Sequence, residues 1–531
     1  MGEMMKRLFR HVLVIAAFGL WMQAALATDE FGTIEFPTST ESAEAQAHFQ
    51  RGATILHSFG WKQAISEFKQ AQAADPDFAM AYWGESLCYN HPLIREMDPQ
   101  TPRDVLNRLG PTLDARLAKA PTAREQGFLL AVEALFFGDG DIKARRTAYM
   151  EVLRDLYEAN PDDDEVAAFY ALSLISAGGA AGKPGERKRV LAGSIALQLF
   201  ARKPDHPGGA HYTIHAFDDP VHAPLALPAA RKFASIAPAV SHARHMPTHI
   251  FIQHGMWEQV STSNQSAYQA AVDLWEPGDS AGDMVHALDW GQYGDLQRGD
   301  YERGRMWIER MKKIAVQNAS QSRVTGALPR VQARLIIETQ QWQTQPVTDA
   351  SSAPELLATG LSAAQLGEVA LAEQASTALT WLAKEAAAEE SFYNRRTAPL
   401  QIMAEQVAGA ALMAQGKTEQ GLALLEASVE IAAQMPAPRG AANPIKPAYE
   451  FYGEALLAAS RPGDAVEQFD VQLTLTPNRP LALLGLARSY VALGDEDAAR
   501  EQYQRLAEVW QNRDFPALRE ANVYLVGAQG R

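Results

Sequence analysis

The sequence predicts an all-α protein, an extended solenoid of antiparallel helix pairs. Three observations support this fold class. The chain has 531 residues and is rich in alanine and leucine, and alternating β-branched runs typical of strands are scarce. Small residues, aromatic residues and prolines also recur at the same spacing near both ends. We therefore expect roughly ten or more helix pairs of about 34 residues each.

The first 27 residues have the features of a cleaved secretory signal. Basic residues flank the apolar run "HVLVIAAFGLWM", and "ALA" at 25–27 offers the small-x-small pattern of a cleavage site. The run is shorter than the roughly 20 apolar residues of a membrane-spanning helix, so we expect no stable membrane insertion after cleavage. The sequence therefore predicts a periplasmic or secreted protein that begins at Thr28.

Charge and cysteine content exclude several classes of protein. Removing residues 1–27 takes away two net positive charges, so the formal charge of −15 falls to −17. Such an acidic chain is not expected to bind nucleic acid, which needs a basic surface. Cys88 is the only cysteine, so the chain has no internal disulfide and depends on packing.

The first repeat lies in "GATILHSFGWKQAISEFKQAQAADP", which begins at residue 52. Its spaced positions are Gly52, Ala64, Phe68, Ala71 and Pro76. They match the small, small, aromatic, small and helix-stopping positions of a tetratricopeptide repeat (TPR). The small residues let two helices approach closely, Phe68 fills the seam, and Pro76 ends one helix and is expected to start the next.

The same spacing recurs near the C-terminus. It comprises Gly453, Ala465, Phe469 and Pro477, and the next unit supplies Ala487, Ala499 and Tyr503. Between the two ends, "HGMWEQV" at 254–260 and "LQRGDYERG" at 296–304 are typical of turns between helices. Loops rich in glycine, proline and charge are expected at 177–188, 344–355 and 436–447.

These features predict three parts after the signal. An N-terminal TPR-like array covers 28–345, a linker covers 346–355, and a C-terminal TPR array covers 356–531. The histidine-rich block at 206–254 belongs to the first array.

Four blocks resemble a family of secreted bacterial TPR proteins with a histidine-rich centre, and the similarity extends from about residue 45 to 345. They are "ILHSFGWKQAISEFKQAQAADPDFAMAYWGESLCYNHPL", "PDDDEVAAFYALSL", "HPGGAHYTIHAFDDPVHAPLALPAARKFASIAPAVSHARHMPTHIF" and "HALDWGQYGDLQRGDY". The resemblance implies a repeat fold and an exported location. It implies no particular activity, so the chemistry has to be inferred from the residues.

Eight of the thirteen histidines lie between residues 206 and 254. Their clustering predicts a transition-metal site, and imidazole ligands suit zinc or copper. The candidate ligands are His206, His211, His215, His242, His245, His249 and Asp218. The alternative is that the rings bond orphan carbonyl groups where helices break. No HExxH motif supports a zinc protease.

Spacing gives some of these residues a helical relation. His211 and His215 are four apart, so both rings can project from one helix face toward one ion. His242, His245 and His249 follow offsets of three and four, but a break after His245 would begin a new helix at proline 247 and weaken that relation.

The two aspartates of "DDP" have different expected roles. Asp219 is expected to cap a turn, whereas Asp218 is either a ligand or a carboxylate that orients a ligand ring. His57 and His91, in the first repeats, approach the block only if the superhelix curls.

The leading hypothesis is a periplasmic TPR solenoid that binds a protein or peptide in its concave groove and a transition metal at the histidine block. One alternative is a metal-dependent enzyme with an open coordination position. Another is a structural scaffold without metal. Neutral imidazoles are needed for metal binding, so affinity is expected to fall below a pH of about 6.5.

Overall fold

A computed structural model describes residues 30–93, 99–178, 182–390, 396–511 and 513–529. The predicted signal segment, 1–27, lies outside the described residues. Within these ranges the secondary structure is helical and includes no β-strand.

The helices of the described ranges follow one another along the chain, and most consecutive helices pack against each other. The first nine are α1 (Ala43–His57), α2 (Trp61–Ala74), α3 (Ala79–Leu87), α4 (Gln100–Leu109), α5 (Leu113–Leu117), α6 (Ala123–Phe136), α7 (Ile142–Ala159), α8 (Asp164–Gly178) and α9 (Gly182–Arg202). The middle eight are α10 (Pro207–Ala216), α11 (Ala223–Ile236), α12 (Ser241–His245), α13 (Pro247–Gln253), α14 (Trp257–Leu274), α15 (Gly282–Gln297), α16 (Tyr301–Gln317) and α17 (Ser322–Thr339). The last nine are α18 (Ala353–Leu366), α19 (Val369–Ala388), α20 (Thr397–Ala414), α21 (Thr418–Ala433), α22 (Ala448–Ala458), α23 (Pro462–Leu475), α24 (Pro480–Leu493), α25 (Glu496–Val509) and α26 (Pro516–Gln529).

The first predicted repeat has the expected packing. Phe68 on α2 is fully buried between Gly52 on α1 and Gly84 on α3. A Cβ atom would lie 3.0 Å from the Phe68 ring at Gly52 and 2.3 Å from it at Gly84. Both glycines therefore make room for the aromatic ring that joins three successive helices.

The C-terminal repeat uses the same device. Phe469 on α23 is fully buried between Gly453 and Gly485, where a Cβ atom would lie 3.0 and 2.2 Å from its ring. The fold is therefore an all-α helical-repeat solenoid of the TPR type, as predicted.

One detail of the repeat pattern is wrong. Pro76 was expected to start the next helix, but it lies in the turn between α2 and α3. The N–H of Phe78 donates to the carbonyl of Asp75 and closes that turn at 3.1 Å, so α3 begins three residues after the proline. Pro477 lies in an equivalent turn before α24.

The predicted turns of the middle region lie between helices. Residues 254–256 separate α13 from α14, and residues 298–300 separate α15 from α16. The chain also breaks after His245, and α13 begins at Pro247, whose missing N–H suits a first helical position. Across the predicted linker at 346–355, α17 and α18 share one buried cluster that includes Ile337 and Leu356.

The superhelix curls so that its last repeats contact its middle. The Trp257 indole donates to the carbonyl of Asn478 at 2.8 Å, and the Trp510 indole donates to that of Gln297 at 3.0 Å. This closure brings the 434–447 loop, between α21 and α22, close to the histidine-rich helices. In the described part of the chain, no helix combines the length and the apolar character needed to span a membrane.

Candidate metal centre

Three of the predicted ligands form a group that we call the first triad: His211, His215 and His242. His211 and His215 project from α10, as their spacing predicts, and His242 comes from α12. One ring nitrogen from each lies within 4.8 Å of the other two. The Nε2 atoms of His211 and His242 are 3.1 Å apart, so these two nitrogens point toward each other inside the triad.

A second group of equal size lies beside it. The second triad contains His245 from α12, His249 from α13 and His286 from α15, again with ligand nitrogens within 4.8 Å of one another. The ring centroids of His245 and His286 are 4.2 Å apart. His286 was missed by the sequence reasoning because it lies outside the 206–254 block and has no histidine near it in the chain.

The two triads adjoin, and we call them together the histidine chamber. The ring centroids of His215 and His249 are 5.7 Å apart, and those of His242 and His245 are 6.2 Å apart. His211, His215, His245 and His249 therefore do not meet at one point, as the simplest interpretation of the sequence expects. His242 and His245 lie on the same short helix, α12, but belong to different triads, and His245 shares its triad with His249 on α13 across the helix break.

Hydrogen bonds fix the orientation of two rings and determine which nitrogen of each ring carries the proton. The Nδ1 of His211 lies 2.6 Å from the carbonyl oxygen of His57, and the Nδ1 of His245 lies 2.7 Å from the side-chain oxygen of Asn264. An oxygen that only accepts requires a proton on Nδ1, so Nε2 of each ring carries the lone pair, which in His211 faces Nε2 of His242. The Nε2 of His245 is buried without any hydrogen-bond partner.

Asp218 belongs to neither triad and hydrogen-bonds to a ligand ring on the side away from the triad. Its Oδ2 lies 2.7 Å from Nδ1 of His249, and its Oδ1 accepts from Gln253 at 3.2 Å. A carboxylate that holds Nδ1–H orients a ligand ring and makes its Nε2 more basic. Asp219 has the capping role predicted for it, because its Oδ1 accepts from the N–H groups of Val221 and His222, both at 3.0 Å.

Burial keeps the rings neutral. It lowers the pKa of His211 and of His245 to about 3. Burial, with a smaller effect of positive neighbours, also lowers the pKa of His215, His242 and His286 well below its ordinary value. These five imidazoles are therefore uncharged at neutral pH and available as ligands.

One aromatic ring covers each triad. The ring of Phe59 lies with its centroid 4.5 to 6.0 Å from those of the first triad. The ring of Trp290 lies 4.3 to 5.3 Å from those of the second triad. Phe59 has a φ of 59°, in the left-handed region that a bulky residue rarely adopts. Gly440 of the 434–447 loop packs on Trp290, where a Cβ atom would lie 2.2 Å from the indole.

The chamber is open to solvent on one side. His215, His242, His249 and His286 are only partly buried. Two exposed arginines lie at its margin: the charge of Arg323 lowers the pKa of His242 and His286, and that of Arg439 lowers the pKa of His215. The site is thus accessible and has a positive rim.

His206 belongs to a different, fully buried group with His57 and Glu165. The Nε2 atoms of His57 and His206 lie 2.8 and 3.1 Å from the two oxygens of Glu165. Their other nitrogens are also engaged, that of His57 with Tyr212 and that of His206 with the N–H of Gly209. The ligand atoms of this group also lie within 4.8 Å of one another. Because every ring nitrogen already has a hydrogen-bond partner, we interpret the group as a network that supports α10.

Both early histidines approach the block, because the superhelix curls. The carbonyl of His57 holds His211, and His91 lies against Trp61 with ring centroids 4.8 Å apart. The charge of Arg323 also lowers the pKa of His91, which places this ring near the chamber margin.

No protein-family model matches the chain, and no curated protein matches it. The chain is similar to solved structures that include the TPR domain of P58(IPK), at 13% identity over 92% of this chain and 100% of that chain, with a TM-score of 0.22. Others are Cut9 in the APC/C hetero-tetramer Cut9-Hcn1, at 11% identity over 97% and 81% with a TM-score of 0.32, and the human IFIT1 dimer with m7Gppp-AAAA, at 10% identity over 90% and 92% with a TM-score of 0.34. These identities and TM-scores carry no partner or ligand over to this chain.

Proposed function

We propose that this protein is an exported TPR solenoid that binds a transition metal, zinc or copper, in the histidine chamber. The observation that carries the proposal is the orientation of the ligand rings. His211, His245 and His249 each have Nδ1 held by an oxygen, which leaves Nε2 to face the other rings of the triad. The Nε2 of His211 faces that of His242 inside the first triad, and the Nε2 of His245 has no hydrogen-bond partner. His57 and His206 instead use both ring nitrogens in a hydrogen-bond network.

The choice of zinc or copper follows from the ligands. Each triad offers three imidazoles and no carboxylate oxygen. Such a set disfavours magnesium, calcium and manganese, which prefer oxygen, and suits borderline transition metals.

Elemental analysis tests the proposal directly. Protein purified from the periplasm without a histidine tag is expected to contain zinc or copper at one equivalent or more. His215→Gln with His249→Gln removes one ligand from each triad and is expected to remove the metal. His48→Gln is the control, because His48 pairs with Glu67 on α2 at 2.7 Å, outside both triads. A wild-type protein without stoichiometric metal, even after incubation with zinc and copper salts, would overturn the proposal.

A metal-dependent enzyme is the second candidate, and one observation favours it. Three protein ligands leave a coordination position open, and the partly exposed rings give solvent access to it. Azide added to the copper-loaded protein is then expected to change its visible absorption spectrum. An unchanged spectrum would indicate a closed site and a binding or structural role.

The proposed partner is a protein or peptide in the concave groove. A cleft of about 990 Å³ lies between α20, α22 and the 434–447 loop, with Ile402, Met435 and Tyr449 among its lining residues. The acidic charge supports a protein partner over a nucleic acid. Cross-linking in the periplasm is expected to capture a partner with the wild type and to lose it with Tyr449→Arg. Retention by DNA or RNA at physiological salt would contradict this assignment.

Export is proposed on the pattern of the first 27 residues. N-terminal sequencing of the exported protein is expected to begin at Thr28. Membrane-bound protein with an intact Met1 would contradict both the cleavage and the location.

A further inference from the structure

The two triads are built on the same plan. Each takes two histidines four residues apart, 211 and 215 or 245 and 249, and a third histidine from a later helix. Each is covered by one aromatic ring, Phe59 or Trp290. The repetition indicates two sites of equal kind, and not one site with spare ligands.

One short helix joins the two sites. His242 and His245 are three residues apart on α12, so they lie on the same side of the helix, and each enters a different triad. The rings of the two triads are also neighbours, since centroid separations across the boundary, 5.7 and 6.2 Å, resemble those within a triad, such as 4.7 and 5.0 Å. Ions in the two triads would therefore lie next to each other.

The charges around the chamber require an anion between two such ions. Six imidazoles supply no negative charge, and Asp218 is the carboxylate that hydrogen-bonds to one of them. The arginines at the rim, Arg323 and Arg439, add positive charge. A small anion held between the ions offsets their repulsion and occupies the coordination position that each triad leaves open.

We infer that the histidine chamber binds two copper ions, one in each triad, as a single dinuclear centre bridged by a small anion such as hydroxide. This rests on the proposed metal-binding function. Copper is favoured because Cu²⁺ has the highest affinity among the divalent first-row metals for a nitrogen ligand set. Hydroxide forms from a bound water by loss of one proton to solvent, so no oxidant or reductant is needed.

Copper titration of the metal-free wild-type protein tests the pairing. Two equivalents of Cu²⁺ are expected to bind, and the fully loaded protein is expected to give little electron paramagnetic resonance signal, because a bridging hydroxide couples the two unpaired spins. Hexacyanoferrate(III) is added first so that all the copper is oxidised. Acid release is then expected to restore a signal equivalent to two Cu²⁺ ions.

Variants that break one triad at a time provide the matched comparison. His242→Gln and His286→Gln change partly exposed rings, one in each triad. Each variant is expected to bind one equivalent with a full signal for one ion, and His48→Gln is expected to behave like the wild type. Circular dichroism checks that each variant is folded.

The outcomes separate the two proposals. Binding of no copper and no zinc would overturn the metal-binding function. Binding of one equivalent by the wild type, or of two equivalents with a full signal, would overturn the dinuclear centre and leave the metal-binding function standing. The wild-type measurement decides the question even if a variant fails to fold.

Discussion

A single carboxylate orients one of the candidate ligand rings from outside the triads. Asp218 holds Nδ1 of His249 at 2.7 Å, whereas its neighbour Asp219 caps a turn and touches neither triad. Asp218→Asn keeps an acceptor oxygen but removes the charge. Metal affinity is expected to fall about 10-fold to 100-fold, as loss of such supporting groups typically causes. Competition with a chromophoric chelator measures the change.

Asp219→Asn is the matched control for that change. It removes the same charge one residue away, so its metal affinity is expected to remain within about twofold of wild type if orientation of His249 is the cause. Equal losses in the two variants would instead indicate a general effect of negative charge near the chamber.

The neutral rings also give the metal-free protein a pH-dependent stability. Below a pH of about 6.5 the unfolded chain protonates its histidines, but the buried ligands stay neutral because burial lowers their pKa, to about 3 for His211 and His245. The unfolded state then binds more protons, so the free energy of unfolding decreases as pH falls, by about 1.4 kcal/mol per pH unit for each such proton.

Urea unfolding of the metal-free protein between pH 7.5 and 5 measures this effect. The lower limit avoids most carboxylate titration, since the pKa of Glu165, lowered to about 2 by His57 and His206, matters only at lower pH. His242→Gln is expected to reduce the slope by about one proton. A free energy of unfolding that is constant over this range would show that the rings are not held neutral. Because burial lowers the pKa of the ligand rings, metal affinity is expected to fall only at a pH below the pKa of about 6.5 of a free imidazole.

At the scale of the helix, the aromatic residue of each repeat is the side chain that packs one helix against both of its neighbours. Phe68 and Phe469 are fully buried against glycines of both neighbouring helices. Phe68→Ala and Phe469→Ala are each expected to cost about 3 to 5 kcal/mol. Trp381→Ala is the control, because this side chain on α19 is 58% exposed and its loss is expected to change stability by about 0.5 kcal/mol or less. Calorimetry compares the three, and a small loss at both phenylalanines would contradict the repeat register.

Helices were predictable where the sequence pattern is local. The register of the repeats follows from Gly52, Ala64 and Phe68, whose spacing is determined by close helix packing. The pairing of His211 with His215 follows from one helical turn, and the start of α13 follows from the backbone of Pro247. In each case the physical cause lies within a few residues or one repeat.

The composition of the chamber was not predictable, because it depends on which helices the superhelix brings together. His286 is 37 positions after His249 in the chain, yet both belong to the second triad. His206 was grouped with the candidate ligands by its position, but it pairs with Glu165 on α8. The way the array curves between α8 and α15 decides these contacts.

At the scale of the whole molecule, a buried charge network holds the curled array closed. The guanidinium of Arg479, at the start of α24, lies 2.6 Å from Glu450 on α22 and 3.0 Å from Glu338 on α17, and all three side chains are almost fully buried. Arg479 also approaches Tyr293 on α15 at 3.4 Å. One side chain therefore joins the last repeats to the middle ones, and α22 directly follows the loop that packs on Trp290.

Removing this cation is expected to destabilise the closed array. Arg479→Met leaves Glu338 without its partner and Glu450 with Lys446 alone, and loss of one member of a buried ion pair typically costs about 3 to 5 kcal/mol. Arg488→Met is the matched control, because its pair with Glu520 is 47% and 36% exposed and is expected to contribute about 1 kcal/mol or less. Calorimetry measures both losses.

Metal stoichiometry of the folded Arg479→Met protein is expected to stay unchanged, because all six ligands lie between residues 211 and 286. Loss of the metal at a temperature where the variant remains helical would instead show that closure by the C-terminal repeats holds the chamber together.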